Sequence, residues 1–155
     1  MYKGADTDMY SKNTILIVDD EEVVKRRLRD VITDDFDVLC ASNGQEALDV
    51  LEANIDKVAV IVLDLIMPVM DGFQFMEEFG RHREYDNIPV IVATSNDDWH
   101  SEQKCLEAGV WDFVMKPYNP VLLQFRIKNA IDKSRMIMAE RDAVTGLYTK
   151  YKFYR

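Results

Sequence analysis

The chain has 155 residues, of which 48% are hydrophobic and 30% are charged, and its formal net charge is −9. This size and composition indicate one globular domain with a buried core and are far from those of a disordered chain. The acidic balance argues against a general binder of nucleic acid or anionic membranes, because both need a basic protein surface. The longest apolar run, residues 58–63, is far shorter than the roughly 20 residues of a membrane-spanning helix.

The charge is divided unevenly along the chain. Residues 1–12 carry two acidic and two basic side chains, residues 13–125 carry 23 and nine, and residues 126–155 carry three and eight. We therefore expect a flexible N-terminal tail over 1–12, an acidic body and a basic C-terminal segment. Cys40 and Cys105 form no CxxC pair and the chain opens without the apolar stretch of a signal peptide, so we expect free thiols and a cytoplasmic location.

Short apolar runs alternate with amphipathic segments along the body. In chain order, the pattern predicts strands at 14–18, 37–41, 58–63, 89–93 and 111–114, and helices at 22–32, 44–53, 73–80 and 101–108. Three of the runs are almost entirely apolar, as in strands buried on both faces of a parallel sheet. Strict alternation of strand and helix predicts right-handed crossovers and a doubly wound, five-stranded α/β domain with helices on both faces.

The last segment, 121–141, contains neither glycine nor proline and predicts a helix longer than an ordinary crossover helix. Six of its positions recur at four-three spacing: Leu123, Ile127, Ala130, Ser134, Ile137 and Arg141. The spacing favours a helix that leaves the domain and pairs with a second copy of itself. The polar Ser134 and Arg141 weaken that seam and favour a plain solvated helix instead.

Acidic, hydroxyl and basic side chains directly follow the predicted strands. They are Asp19 and Asp20 after the first strand, Asp64 after the third, Thr94 after the fourth and Lys116 after the fifth. Because the carboxyl ends of parallel strands share one edge of a sheet, we expect these groups to converge there. Converging buried carboxylates have raised pKa values unless a cation such as Mg²⁺ neutralises them. Together with a lysine and a hydroxyl, they predict a phosphoryl-binding site.

Each of these residues, taken alone, also fits a purely structural role. Asp19 or Asp20 can cap the following helix, Thr94 can simply end a strand, and Lys116 with the proline after it can form a turn. Asp64 is harder to assign in this way, because it ends an otherwise apolar strand. The joint occurrence of all of them at one predicted edge favours the phosphoryl site.

This set of residues, with the loop from Asp64 to Gly72 (Asp-Leu-Ile-Met-Pro-Val-Met-Asp-Gly), resembles the receiver domain of two-component response regulators over residues 13–133. The resemblance implies a flavodoxin-like sheet with strand order 2-1-3-4-5. It also implies that Asp64 is the phosphoacceptor, that Thr94 and Lys116 bind the phosphoryl group, and that Phe113 is an aromatic switch.

The resemblance further implies Mg²⁺ or Mn²⁺ as cofactor. Asp20, the Asp64 carboxylate and the Ile66 backbone carbonyl would bind the metal directly, and Asp19 would hold a metal-bound water. Gly72 is expected to permit a tight turn into the next helix. Ser95 is a departure, because the family most often has alanine at that position.

The partner implied by the resemblance is a sensor histidine kinase or a phosphotransfer protein. Phosphorylation is then expected to repack Phe113 and to favour a homodimer through the last helices, with no direct binding of nucleic acid or membrane. A receiver-like interaction module that is not phosphorylated is the alternative.

The segment 142–155 resembles the start of a GGDEF, or diguanylate cyclase, domain. The matching residues are Asp142, Thr145, Gly146, Leu147 and Phe153, whereas Val144, Thr149 and Lys150 depart from the pattern. We therefore expect a signalling helix over 134–141 and an output domain beginning at 142, with the chain itself regulatory and not enzymatic. The full-length protein would make cyclic di-GMP. A polar tail that contains Thr-Gly-Leu by chance is the alternative.

Three other functions fit the residues less well. A phosphohydrolase similar to the haloacid dehalogenases needs a second aspartate two residues after the nucleophile, where this chain has Ile66. The glycine-rich GxGxxG and GxxxxGK[ST] motifs of nucleotide-binding proteins are absent from the sequence. No helix-turn-helix is recognisable after the predicted domain, which argues against direct DNA binding.

Overall fold

Residues 12–32, 35–95 and 99–153 are described by a computed structural model. The strands are β1 (Thr14–Val18), β2 (Asp37–Ala41), β3 (Val58–Leu63), β4 (Val90–Thr94) and β5 (Asp112–Met115). The helices are α1 (Glu22–Ile32), α2 (Gly44–Ala53), α3 (Gly72–Phe79), α4 (Trp99–Glu107) and α5 (Pro120–Phe153), with a 3₁₀ turn at Arg83–Tyr85. Apart from Lys12, the predicted N-terminal tail lies outside the described residues.

The five strands are parallel and lie in the order β2-β1-β3-β4-β5. This order confirms the predicted sheet. Helices α2, α3 and α4 cover one face, where Leu51, Phe75 and Phe79 belong to the buried core. Helices α1 and α5 cover the other face through residues such as Leu28 and Ile127. Both faces of the central strands are therefore buried, as their apolar sequences predict.

Local hydrogen bonds decide where α2 and α3 begin. The Asn43 side chain accepts a hydrogen bond from the backbone N–H of Glu46 at 2.8 Å and caps α2. Asp71 and Gln74 form a reciprocal capping box at the start of α3. The cap at Asp71 accounts for the start of α3 at Gly72, one residue before the predicted start.

Strands β4 and β5 each lie one residue later than predicted. Pro89 has no N–H to donate, and β4 begins at Val90. At the other end the backbone N–H of Lys116 donates to the Thr94 carbonyl at 2.8 Å, which extends the pairing of β4 with β5. Thr94 is therefore the last residue of β4 and not the residue after it.

Helix α4 begins at Trp99, two residues before the predicted start, and α5 is longer than predicted at both ends. Proline is favourable in the first helical turn, and the Asn119 side chain accepts from the backbone N–H of Val121 at 2.9 Å. At the C-terminal end α5 continues past 141 to Phe153. A single glycine at 146 costs a helix only about 1 kcal/mol and does not end it.

The four-three seam of α5 faces the protein's own core over its first half. Leu123 and Ile127 are almost fully buried, and Ala130 and Ser134 are less than a tenth exposed. These residues pack against the sheet and α1, so they are not free to pair with a second copy. In the described part of the chain, no helix is both long enough and apolar enough to span a membrane.

Cys105 should be inert toward thiol reagents in the folded protein. Burial raises the pKa of its thiol to about 11, and the residue is only 2% exposed. Cys40 is half-buried and accepts a hydrogen bond from Arg29 at 3.0 Å. At pH 8 we expect an aromatic disulfide reagent to label native wild type only at Cys40, and to label Cys40→Ser only after urea is added. Rapid labelling of native Cys40→Ser would contradict this.

Candidate functional site

Backbone hydrogen bonds hold two carboxylates at the carboxyl edge of the sheet. The N–H of Asp19 donates to the Ala41 carbonyl at 3.0 Å, and the N–H of Asp64 donates to the Val18 carbonyl at 2.9 Å. Both residues continue the ladder just beyond their strands. Asp19 is 4% exposed and Asp64 is 6% exposed, so the sheet places two acidic groups in a poorly hydrated position.

Lys116 brings a positive charge to these two carboxylates. Its Nζ atom lies 2.7 Å from Oδ2 of Asp19 and 3.7 Å from Oδ2 of Asp64. Burial by itself lowers the pKa of the Lys116 ammonium, but the hydrogen bond to Asp19 and the charges of both aspartates outweigh it, and the pKa is raised. Lys116 is therefore fully charged at neutral pH and partly neutralises the pair.

The pKa of the Asp64 carboxyl is raised, and burial is the largest cause. The Lys116 charge opposes this and the Asp19 charge adds to it, while smaller hydrogen-bonding contributions from the Thr94 hydroxyl and the Ile66 backbone lower the pKa. Thr94 is fully buried at the end of β4. The structure thus brings together Asp19, Asp64, Thr94 and Lys116, as the strand-end pattern predicts.

Replacing Asp64 with asparagine should stabilise the metal-free protein at pH 7 by about 0.5–2 kcal/mol. The substitution removes a buried negative charge that the fold disfavours. The raised pKa of Asp64 means that its contribution to stability is complete below the unfolded pKa and is lost as the pH rises through the folded pKa. Asparagine has no such loss. Urea unfolding in EDTA should show a gain that shrinks as the pH falls toward 4. Asp132→Asn, on the exposed side of α5, is the control, and an equal gain there would contradict this origin of the effect.

Asp19, Asp20 and Glu21 form a cluster of carboxylates that could hold a cation. One oxygen from each lies within 4.8 Å of the others. Asp20 and Glu21 are exposed, whereas Asp19 is buried and also accepts a hydrogen bond from the Glu21 N–H at 2.9 Å. Asp19 thus has two roles: its side chain binds a backbone N–H just before α1, and its carboxylate is part of the site. These hard oxygen donors fit Mg²⁺.

Two residues near the site carry no role in the sequence-based prediction. Glu21 joins the carboxylate cluster, and its signal in the sequence was the acidic run after β1. Tyr118 is half-buried, and burial together with the charges of Asp19, Asp64 and Glu21 raises its pKa to about 12. The signal for Tyr118 was its position directly after Lys116-Pro117, which by itself does not indicate where a side chain lies.

Gly72 is required for a different reason from the predicted turn. A Cβ atom at this position would lie 2.5 Å from the Asp64 carbonyl oxygen and 2.7 Å from the Leu65 Cα atom. The Gly72 N–H also donates to the Leu65 carbonyl at 2.8 Å. In the same loop, the residue with a positive φ is Val69, at 71°. Gly72 thus permits a close approach of α3 to the acceptor loop, and its own φ is not left-handed.

Phe113 lies on β5, two residues after Trp111 and three before Lys116. It is half-buried and packs against the core on the face covered by α2, α3 and α4. Phe113, the predicted switch residue, is therefore partly exposed to solvent. Ser95, which departs from the family pattern, directly follows Thr94 and is exposed.

Similarity to known proteins agrees with this fold and site. Residues 15–128 match the family model of the response regulator receiver domain. Transcriptional regulatory protein SrrA of Staphylococcus aureus is 33% identical over 130 residues, which cover 83% of this chain and 52% of SrrA. The chain therefore spans about half the length of this curated relative.

Solved structures agree as well. A response regulator receiver domain protein from Clostridium thermocellum superposes with a TM-score of 0.73 at 25% identity, covering 81% of this chain and 98% of that one. Chemotaxis protein CheY4 of Vibrio cholerae superposes with a TM-score of 0.70 at 26% identity, covering 76% and 98%.

A five-stranded parallel sheet in the order β2-β1-β3-β4-β5, with helices on both faces and an acidic site at its carboxyl edge, defines a domain of the flavodoxin-like fold. The chain belongs to the response regulator receiver domain family. Such domains are regulatory parts of two-component systems, interact with histidine kinases or phosphotransfer proteins, and generally bind Mg²⁺ at an acidic pocket.

Proposed function

We propose that Asp64 accepts a phosphoryl group from the phosphohistidine of a sensor histidine kinase or phosphotransfer protein. One observation carries the proposal: the Asp64 carboxylate is buried at the carboxyl edge of the sheet with the Lys116 ammonium 3.7 Å away, and the Thr94 hydroxyl and the Ile66 backbone favour its charged form. These are the groups that an in-line phosphoryl transfer needs around its nucleophile.

The reaction is a displacement at phosphorus. A bond forms between an Asp64 carboxylate oxygen and phosphorus while the P–N bond to the donor imidazole breaks. The imidazole leaves with the bonding electron pair and carries its proton on the other ring nitrogen. The product is an acyl phosphate. Lys116 bears a fixed positive charge next to the developing negative charge. The Thr94 hydroxyl can donate a hydrogen bond to a phosphoryl oxygen.

The proposed cofactor is Mg²⁺ or Mn²⁺, held by Asp20, Asp64 and the Ile66 carbonyl, with Asp19 holding a metal-bound water. The carboxylate cluster supports the part of this assignment that involves Asp19 and Asp20, and it adds Glu21 as a neighbouring oxygen donor. When bound, the cation supplies charge neutralisation for the phosphoryl oxygens. In the chain itself, Lys116 already neutralises part of the site's negative charge through its 2.7 Å contact with Asp19.

The proposed switch consists of Thr94 and Phe113. An acyl phosphate on Asp64 would turn the Thr94 hydroxyl from the carboxylate toward the phosphoryl oxygens and open space beside β5. Phe113 is half-buried, so it can move inward to fill that space without first breaking a fully packed core. The local change in charge thus biases a two-state packing of the β5 side chain.

We propose that phosphorylation favours a homodimer through the last helices. The buried seam of α5 is occupied by the protein's own core up to Ser134, so the contact must use other residues. Three apolar side chains on the first turns of α5 are each more than half exposed: Val121, Leu122 and Phe125. Their exposed apolar area supports a dimer contact at this end of the helix.

The proposed output rests on the segment 142–155, which carries the GGDEF-like Thr-Gly-Leu pattern. We propose that residues 13–133 form the receiver, 134–141 a signalling helix, and 142 onward the start of a diguanylate cyclase domain. Cyclase assay of the natural gene product tests this. A cytoplasmic location remains a prediction that a fractionation of cells expressing the natural protein would check.

Intact-mass measurement with acetyl phosphate and Mg²⁺ tests the acceptor. Wild type should gain one phosphoryl group, and Asp64→Asn should gain none. Asp71→Asn is the matched control, because asparagine also caps α3 and Asp71 lies in the same loop. Equal phosphorylation of Asp64→Asn would refute the assignment, and no phosphorylation of wild type would favour a module that works without it.

A further inference from the structure

Helix α5 is tied to the edge of the sheet opposite the phosphoacceptor. Ser134 Oγ donates a hydrogen bond to the Asn87 carbonyl at 2.8 Å, and Arg141 Nη1 donates to the Asn87 side-chain oxygen at 2.8 Å. Asn87 lies between the 3₁₀ turn and β4. A single loop residue therefore holds the helix at two positions.

A second contact holds the same part of the helix. Arg135 Nη2 donates to the carbonyl of Lys12 at 3.1 Å, two residues before the start of β1. Ser134 is 8% exposed, so its hydroxyl exchanges little with water, and the bond to Asn87 satisfies it. The amino-terminal edges of β1 and β4 thus both bind α5 just where it leaves the core.

The spacing of the two Asn87 contacts gives them a mechanical consequence. Ser134 and Arg141 are seven residues apart, which is two helical turns, so they lie on the same side of α5. One contact alone would leave the segment free to tilt. Two contacts on one side, to one residue, limit both the rotation and the tilt of residues 134–141.

Strand β4 connects this contact to the phosphoacceptor site. Asn87 precedes Val90, the first residue of β4, by three positions, and Thr94 ends the strand. At the far end of the strand, the Thr94 hydroxyl is close enough to the Asp64 carboxylate to favour its charged form. A parallel strand rises about 3.3 Å per residue and its backbone is extended. A shift of β4 along its axis would therefore move both of its ends.

We propose that Asn87 is a clamp on α5 that sets the position of residues 134–141 and links it through β4 to Asp64. The link rests on the proposed phosphorylation of Asp64, whereas the clamp does not. Ser134 and Arg141, the two polar positions in the four-three seam, thereby gain a role as the groups that bind the clamp. The clamp therefore fixes the direction in which α5 leaves the domain.

Hydrogen exchange measured by mass spectrometry on the full chain tests the clamp. Ser134→Ala removes one contact, and Arg141→Gln removes the other from an exposed position that does not threaten folding. Each should speed amide exchange in residues 135–141 about fivefold, the loss of one ordinary hydrogen bond. Asn87→Asp keeps the acceptor oxygen and adds charge for Arg141, so it should slow exchange there or leave it unchanged.

Asn129→Ala, an exposed change on the same helix, is the matched control and should not speed exchange. Unchanged exchange in both Ser134→Ala and Arg141→Gln would overturn the clamp.

Phosphorylation tests the link. Wild type that carries a phosphoryl group by intact mass should show altered exchange in 135–141, and Arg141→Gln should show a smaller change. Identical exchange with and without the phosphoryl group would overturn the link. If wild type gains no phosphoryl group, the proposed function and the link both fail, while the exchange of the unphosphorylated variants still decides the clamp.

Discussion

Lys116→Met is expected to slow phosphoryl transfer to Asp64 by about 100-fold, the usual cost of losing one charged group that stabilises a transition state. Lys116 is the cation 2.7 Å from Asp19 and 3.7 Å from Asp64, and methionine fills a similar volume without charge. The rate of acetyl phosphate labelling in saturating Mg²⁺, followed by intact mass, measures the change.

The same variant should separate charge neutralisation from catalysis. Without Lys116, Asp19 and Asp64 are two buried carboxylates with no counter-charge, so the metal-free protein should lose about 1–3 kcal/mol of stability. Mg²⁺ should then bind roughly tenfold more tightly, because the ammonium no longer competes for Asp19. Urea unfolding in EDTA and in Mg²⁺ measures both effects.

Lys128→Met is the control for this experiment, since its pair with Asp35 is exposed on both sides and should change stability by less than about 0.5 kcal/mol. A Lys116→Met protein that is as stable as wild type in EDTA would show that the pair with Asp19 contributes nothing to the fold.

Gly72→Ala is expected to cost about 1–3 kcal/mol of stability, as overpacking against backbone does. The new methyl group would meet the Asp64 carbonyl oxygen and the Leu65 Cα atom, and neither is the flexible end of a side chain. The acceptor loop must move to make room. Because displacement of a reacting group by 1 Å can cost about 100-fold in rate, phosphorylation should slow as well.

Gly80→Ala provides the contrast. Gly80 lies at the end of the same helix, has φ of −67°, and its nearest neighbour to a new Cβ is the Met76 carbonyl at 3.3 Å. We expect less than about 0.5 kcal/mol of change there. Equal losses of stability in both variants would mean that general helix effects, and not the close approach to Asp64, cause the result.

The central strands were predictable because burial on both faces leaves a strong trace in the sequence: the bounds of β1 and β3 match the apolar runs at 14–18 and 58–63 residue for residue. The edge strand β2 also matches its predicted bounds, 37–41, although it is only partly buried. Among the boundaries that moved, those of β4 and α3 depend on a few hydrogen bonds: Lys116 N–H to the Thr94 carbonyl, and the two bonds of the Asp71 capping box. Such bonds depend on the path of a distant segment or on a side-chain conformation, which composition does not encode.

The sequence by itself determined which residue types meet at the carboxyl edge of the sheet, because parallel strands bring their C-terminal ends together whatever surrounds them. It also identified Asp64 as unusual, since an acid at the end of an apolar strand contributes little to a buried core.

Only the tertiary structure decided how these groups divide the charge. It pairs Lys116 more closely with Asp19 than with Asp64, brings Glu21 into the carboxylate cluster, and turns Ser134 and Arg141 toward Asn87. These contacts join residues far apart in the chain, and their distances follow from how helices pack on the sheet. Periodicity along the sequence reports which side of a helix is apolar, but it does not report which residue lies opposite that side.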